Sequence, residues 1–222
     1  MSTNTLPMTE VKVYLRLLQR HFRTLSEPNL LKEVLDVGDL VTIPKGKVIM
    51  NYGNYIRSIP LVLDGVIKVS RENEDGQALF LNYLQPGDTC SITLNCCRVN
   101  KKSILKTVAE TEVTMLKIPV SYMDSWMTKY PSWKNFIMLS YDKYLSQLVT
   151  SLDAVAFQKV DERLANYLEA KANILNTRQL EISHAAIAID LNASRETISR
   201  LLKQMEREGY LKLGRNKIEL MQ

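Results

Sequence analysis

The sequence predicts an α+β protein. A β-rich first half folds as a roll, barrel or sandwich, one long helix follows, and the chain ends in two helices joined by a tight turn and closed by a small β wing. Three observations carry this prediction. Short β-rich runs separated by turn signals fill residues 40–119. Residues 132–158 contain no Gly or Pro and repeat apolar positions at alternating steps of four and three. Between Glu181 and Leu220, residues suited to helix caps bracket two helical stretches ahead of a strand–turn–strand.

The chain has 222 residues, enough for one large domain or two modest ones, each with its own core. Its net charge of +5 permits an anionic partner. No apolar run approaches the roughly 20 residues needed to cross a bilayer, and the start, MSTNTLPMTEVKVYL, lacks the basic-then-apolar layout of a secretory signal. A cytoplasmic protein with no membrane partner is expected. Three cysteines in a chain of this length do not form a disulfide framework.

Taken in order, residues 7–36 read as helical, with Val11, Tyr14, Leu15 and Leu18 as an apolar stripe. LVTIPKGKVIM gives two strands around Pro44 and Gly46. Asp64-Gly65, Asp75-Gly76 and Pro86-Gly87 then mark turns between apolar runs, and Val108, Val113, Met115, Leu116 and Ile118 continue the β pattern. The long helix carries a seam of Ile137, Tyr141, Tyr144, Leu148, Ser151 and Val155, flanked by Leu145 and Leu152. A helix of this length spans about 40 Å, more than a small domain covers, so the seam is expected to pair two chains as a coiled coil. Past Lys159, Asp161 is the expected N-cap of a helix whose stripe is Leu164, Tyr167 and Leu168.

The functional signal lies in EISHAAIAIDLNASRETISRLLKQMEREGYLKLGRNKIEL. Ser183 caps a helix from His184 to Leu191. Asn192 suits a left-handed turn, Ser194 caps the next helix, and Gly209 ends it. The second helix turns Ile198, Leu201, Leu202 and Met205 inward, leaving Ser194, Arg195, Glu196, Thr197, Ser199, Arg200 and Lys203 at or near its start as a polar face. Such a face can enter a major groove of double-stranded DNA. Arginine forks onto guanine O6 and N7, and a carboxylate accepts from the cytosine amine, so Arg195 or Arg200 with Glu196 can read a G·C pair. Lys203, Arg207, Lys212, Arg215 and Lys217 supply attraction to phosphates.

Residues 187–209, IAIDLNASRETISRLLKQMEREG, closely resemble the recognition unit of the CRP/FNR family of bacterial transcription regulators. The resemblance extends over nearly the whole chain. It implies a cyclic-nucleotide-binding-like β-roll (a double-stranded β-helix or jelly roll) over residues 1–130. It further implies a dimerisation helix over 131–158 with a hinge centred on Phe157, and a winged helix–turn–helix over 159–222. By the same resemblance the protein is a homodimer on a near-palindromic site with RNA polymerase as a partner. The positions of Arg195, Glu196, Ser199 and Arg200 then read a half-site with a TGA core. Asn192 stands where many members have Gly.

The resemblance also bears on the effector. Members that respond to cyclic AMP hold the ribose with a Glu and the phosphate with an Arg-Ser pair. Counting from Gly87, those positions are Ile92 and Lys102-Ser103, with Ile104 where a small residue is usual. Ile92 cannot accept a sugar hydroxyl, and Lys102 offers a point charge in place of a planar fork. Leu148 and Val149 fall where polar side chains meet adenine. No cofactor is therefore expected: cyclic AMP fits poorly, and another anion at Lys101, Lys102 and Ser103 stays open beside a plain basic turn. Cys90, Cys96 and Cys97 have three readings: inert apolar side chains, thiol sensors beside Arg98, Lys101 and Lys102, or metal ligands. The spacing C-x5-C-C lacks the paired pattern of metal sites, and none is expected. His21 reads as a surface or packed residue rather than a haem ligand, and His184 as a phosphate contact or a solvated side chain. No Ser/His/Asp grouping, phosphate-cradling Gly loop or metal-binding His pair suggests an enzyme.

Overall fold

The computed structural model describes residues 8–72, 78–90 and 102–221. Ile92, Cys96, Cys97, Arg98, Lys101 and the Asp75-Gly76 turn lie outside them. Backbone proximity divides the chain into two compact units, Met1–Val69 with Tyr83–Gln147, and Ser70–Asn82 with Leu148–Gln222.

The first unit opens with α1 (Met8–His21) and α2 (Pro28–Val37). The helical stretch expected over 7–36 is thus two helices. Pro28 sets where the second begins: it disfavours helix in Glu27 before it and suits the first turn of a new helix. Strands β1 (Asp39–Ile43), β2 (Val48–Met50), β3 (Ser58–Asp64), β4 (Ile67–Glu72), β5 (Ala78–Leu84), β6 (Leu105–Ala109) and β7 (Val113–Pro119) follow. They form two sheets, β1-β7-β3 and β2-β6-β4-β5. β7 pairs antiparallel with both β1 and β3, placing Leu116 opposite Leu40 and Leu61. Strand alternation then sorts the faces. Ile59, Leu61 and Leu63 turn to a core shared with Leu18, Phe22, Leu30 and Val34, while Ser58 and Pro60 line the interior of the roll. At the Pro86-Gly87 turn, Gly87 has φ +96°, and an added Cβ would stand 2.6 Å from the His21 carbonyl oxygen; backbone conformation and space both demand glycine.

A short 3-10 turn (Val120–Tyr122) leads to α3 (Met123–Lys129) and the long α4 (Pro131–Phe157). Trp126 and Trp133 meet edge to face at 5.0 Å within the same core. Glu33 of α2 ties α3 down. Its carboxylate accepts from Trp126 Nε1 at 2.8 Å, from the Tyr130 hydroxyl at 2.7 Å and from Lys129. Those hydrogen bonds, Lys129's foremost, hold Glu33 below the ordinary carboxylate range.

The second unit contains α5 (Val160–Leu175), β8 (Gln179–Leu180), α6 (His184–Asp190), α7 (Arg195–Arg207), β9 (Leu211–Gly214) and β10 (Lys217–Leu220). The N-cap of α5 is Lys159 rather than Asp161, which sits inside the first turn; the Glu162 carboxylate accepts from the Lys159 amide at 3.2 Å. The expected two-stranded wing is the outer part of a three-stranded sheet, β8-β10-β9. Leu164, Leu168, Leu180, Ile187, Ile198, Leu202 and Ile218 close a separate core.

Candidate nucleic-acid interface

Two serines start the two helices that matter. Ser183 Oγ accepts from the Ala186 amide at 3.2 Å at the head of α6, and Ser194 Oγ accepts from the Thr197 amide at 3.1 Å at the head of α7. Between them Asn192 holds φ 48°, the left-handed turn that lets α7 double back across α6. Arg163 completes the corner by donating to the Leu191 carbonyl at 2.7 Å, which places a cation on the open C-terminal end of α6. Beneath, Tyr167 donates to Asp190 at 2.6 Å in the buried seam joining α5 to α6.

The polar face of α7 follows from these constraints. Ile198, Leu201 and Leu202 are buried in the core, so the 3.6-residue period leaves Arg195, Glu196, Arg200 and Lys203 exposed. Among the described residues, none of these four side chains is in a hydrogen bond or ion pair. Thr197 and Ser199, expected in the same set, have partners inside the protein. Thr197 Oγ1 lies 2.9 Å from the capping Ser194 Oγ, and Ser199 Oγ lies 2.9 Å from His184 Nδ1. Sequence reasoning missed that last pairing. Fifteen residues separate the two, and His184 alone suggested a phosphate contact. Half-buried and facing Arg195 and Lys203, His184 has its pKa lowered, first by burial and then by those two charges. On the wing, Lys212, Arg215 and Lys217 are exposed, and Glu206 of α7 fixes the strand by accepting from the Leu213 amide at 2.7 Å.

One member of the expected pairing seam on α4, Ile137, is corrected by its burial. Ile137 is completely buried with Trp133 and Phe136 in the core of its own unit, so it presents nothing to a second chain. Tyr144 is half-buried and Ser151 is exposed. The exposed apolar side chains of α4 are Met138, Leu139, Leu145, Val149 and Leu152, of which Met138, Leu145 and Leu152 stand one residue past Ile137, Tyr144 and Ser151. With Tyr141 and Leu148, both half-buried, Met138, Leu145 and Leu152 keep the alternating four-and-three spacing. Val155 and Phe157 lie in α4, but their side chains are outside those described.

In the roll, Lys102 is exposed and bridges to Tyr55, its Nζ 5.7 Å from the ring centroid. Ser103 is buried, and its hydroxyl is engaged with the backbone of Leu105. Cys90 is buried and not in a disulfide. No described helix is long and apolar enough to cross a membrane, and no three His, Cys, Asp or Glu side chains gather as a metal site among the described residues.

The comparisons with known proteins agree with this geometry. A Crp-like helix–turn–helix domain matches residues 162–222, and a cyclic nucleotide-binding domain matches residues 40–130, together more than half of the chain. The chain belongs to the CRP/FNR family. It is a helix–turn–helix transcription regulator with a sensor domain of the cyclic nucleotide-binding type. One relative, the global nitrogen regulator of Synechococcus elongatus, is 21% identical over 181 residues, covering 78% of this chain and 82% of that protein. A solved CRP/FNR structure from Eubacterium rectale superposes with a TM-score of 0.77 at 24% identity, over 88% of this chain and 91% of its own. The c-di-GMP responsive regulator CLP of Xanthomonas campestris gives 0.76 at 17% identity, over 88% and 100%.

Proposed function

We propose that this regulator acts as a homodimer that reads a two-fold symmetric duplex through α7, and that its sensor domain has left cyclic AMP behind. One observation carries the DNA reading: Arg195, Glu196 and Arg200 stand exposed and unpartnered, among the described residues, on the first two turns of a capped helix. A bare arginine fork and a bare carboxylate on one helical face are what base edges recognise. Lys203 and the wing cations supply phosphate contacts. Dimerisation runs through Met138, Tyr141, Leu145, Leu148 and Leu152, whose exposed members would otherwise leave an apolar stripe in water. Two copies so paired would bring two reading helices to one duplex, one for each half-site. RNA polymerase is the partner that family membership implies, and the cytoplasm the compartment that a DNA reader requires.

The case against cyclic AMP rests on chemistry. A site built on hydrogen bonds rejects a ligand whose partners are missing. Ile92 cannot bond a ribose hydroxyl, Lys102 leans on Tyr55, and the Ser103 hydroxyl is engaged with Leu105.

The test is to select duplexes from a random pool and measure affinity by fluorescence anisotropy over a range of salt, with sedimentation to fix the stoichiometry. Two chains on a near-palindromic duplex, bound far above scrambled sequence, is the expected result. Equal affinity for selected and scrambled duplexes would refute sequence reading by α7.

A further inference from the structure

The roll encloses a cavity of about 190 Å³ whose lining has two chemistries. Ile67, Leu84, Leu105 and Met115 are buried and give it an apolar floor. Arg57 and Lys117 also line it, and no carboxylate does among the described residues. Arg57 has no ion pair or side-chain hydrogen bond among those residues. Lys117 has one loose pairing, to Asp39 at 3.9 Å, with both side chains well exposed, the kind of pair that holds a cation weakly. A free Arg57 and a weakly paired Lys117, with no carboxylate in the lining among the described residues, favour a negative ligand.

Size and polarity narrow the class. An apolar cavity of about 150 Å³ holds a benzene ring, so 190 Å³ takes one ring with a small substituent. A cyclic nucleotide brings a purine, a ribose and a phosphate. The hydroxyl nearest to serving that phosphate, Ser103 Oγ, donates to the Leu105 carbonyl at 2.9 Å and accepts from the Leu105 amide at 3.1 Å. The apolar floor of Ile67, Leu84, Leu105 and Met115 offers no hydrogen bond to nucleotide hydroxyls or ring nitrogens laid against it.

We propose that the roll cavity binds a small amphipathic organic anion: one six-membered ring, or a branched chain of like bulk, bearing a single carboxylate. The carboxylate meets Arg57 and Lys117, and the apolar body rests on Leu105 and Met115. The inference depends on the reading of the roll as a sensor that has left cyclic AMP, and it names the ligand class of that same site.

Isothermal calorimetry on the full chain tests it, with benzoate and cyclohexanecarboxylate as probes, benzamide as the neutral counterpart, and cyclic AMP as the rival. Both acids should bind saturably, and benzamide should bind more weakly by roughly tenfold or more, the worth of a charged hydrogen bond. Arg57→Gln with Lys117→Gln should abolish the preference for acid over amide, while Met115→Trp should fill the cavity and remove binding of both. Met115 is buried, so the pair of exposed substitutions carries the decision, with circular dichroism to confirm the fold. Equal binding of benzoate and benzamide overturns the proposal, as does an acid affinity indifferent to loss of both cations. If neither acid nor cyclic AMP binds, the ligand class falls while the loss of cyclic AMP stands. If cyclic AMP binds more tightly than either acid, both fall.

Discussion

Replacing Arg200 by Ala separates base reading from every other contribution to DNA affinity. In the free protein the Arg200 side chain is exposed and makes no hydrogen bond or ion pair among the described residues. Its removal breaks nothing inside the fold, and surface substitutions of this kind stay within about 0.5 kcal/mol of the parent stability. On DNA the same removal costs a forked contact to a base, about 1–3 kcal/mol at each half-site. In the proposed dimer both half-sites lose it, so the cost doubles to about 2–6 kcal/mol, a fall in affinity of some thirtyfold to over ten-thousandfold. The assay is anisotropy against the selected duplex, against one altered at the read base pair, and against scrambled sequence, at several salt concentrations. The variant should lose affinity for the selected duplex, keep its affinity for scrambled sequence apart from a small electrostatic loss, and no longer distinguish the altered pair. Lys203→Ala is the contrast: all three duplexes should weaken together, and the salt dependence should shrink by about one phosphate contact per chain. If Arg200→Ala weakens all three duplexes alike, Arg200 is a phosphate contact and the orientation argued for α7 is wrong.

Other expectations follow from individual side chains. Leu152, 68% exposed on α4, should be essential to pairing; Leu152→Lys should sediment as a monomer and lose tight binding to the selected duplex, and a dimer of undiminished stability would remove Leu152 from the interface. Burial first, then the charges of Arg195 and Lys203, lower the pKa of His184 from its ordinary value of 6.5. The unfolded chain therefore takes up its proton more readily, so the stability contributed is present above about pH 6.5 and is lost as pH falls through the folded value. Melting curves over this range should show that loss, and His184→Gln should flatten it. Glu33, held low chiefly by its hydrogen bond from Lys129 and then by that from Tyr130, contributes stability above the ordinary carboxylate range that disappears in acid. Glu33→Gln should lower the melting temperature at neutral pH and remove the corresponding acid-side dependence; an unchanged acid profile would show that Glu33 is not the group titrating.

Much of the DNA-reading unit was legible because its signals are local. A serine at a helix head, an asparagine in a left-handed corner, and apolar residues at helical spacing act over a few residues, and Ser183, Asn192, Ser194 and Ile198 occupy the expected geometry. The failures share the opposite property. Ile137 fits a seven-residue seam, but periodicity does not say which neighbour a face meets, and the first turns of α4 are claimed by Trp126 and Phe22 of the same unit. Glu33 gathers donors 93–97 residues away, and no short-range pattern marks an acceptor for Trp126 and Tyr130. The strand β8 is two residues long and exists because β10 offers it an edge. The cavity in the roll depends on side chains from six strands meeting, which spacing along one strand does not reveal.

The way α7 is held limits how any signal could act on it. Its apolar side is buried through Ile198, Leu201 and Leu202, its head is capped by Ser194, its second turn is bonded to His184, and its far end is tied to the wing through Glu206. The corner before it is fixed by Asn192 and by Arg163 on the Leu191 carbonyl. A helix so constrained is formed before it meets DNA, so binding does not have to meet the cost of ordering it. A ligand in the roll can shift an equilibrium only by interacting differently with its two states, and a reading helix complete in itself offers no folding step to shift. Control is then left to the separation and angle between the two copies of this unit in the proposed dimer. Effector and DNA should therefore be coupled in the paired chains and uncoupled in the Leu152→Lys monomer, where the isolated reading helix keeps its weak affinity whether or not the cavity is filled.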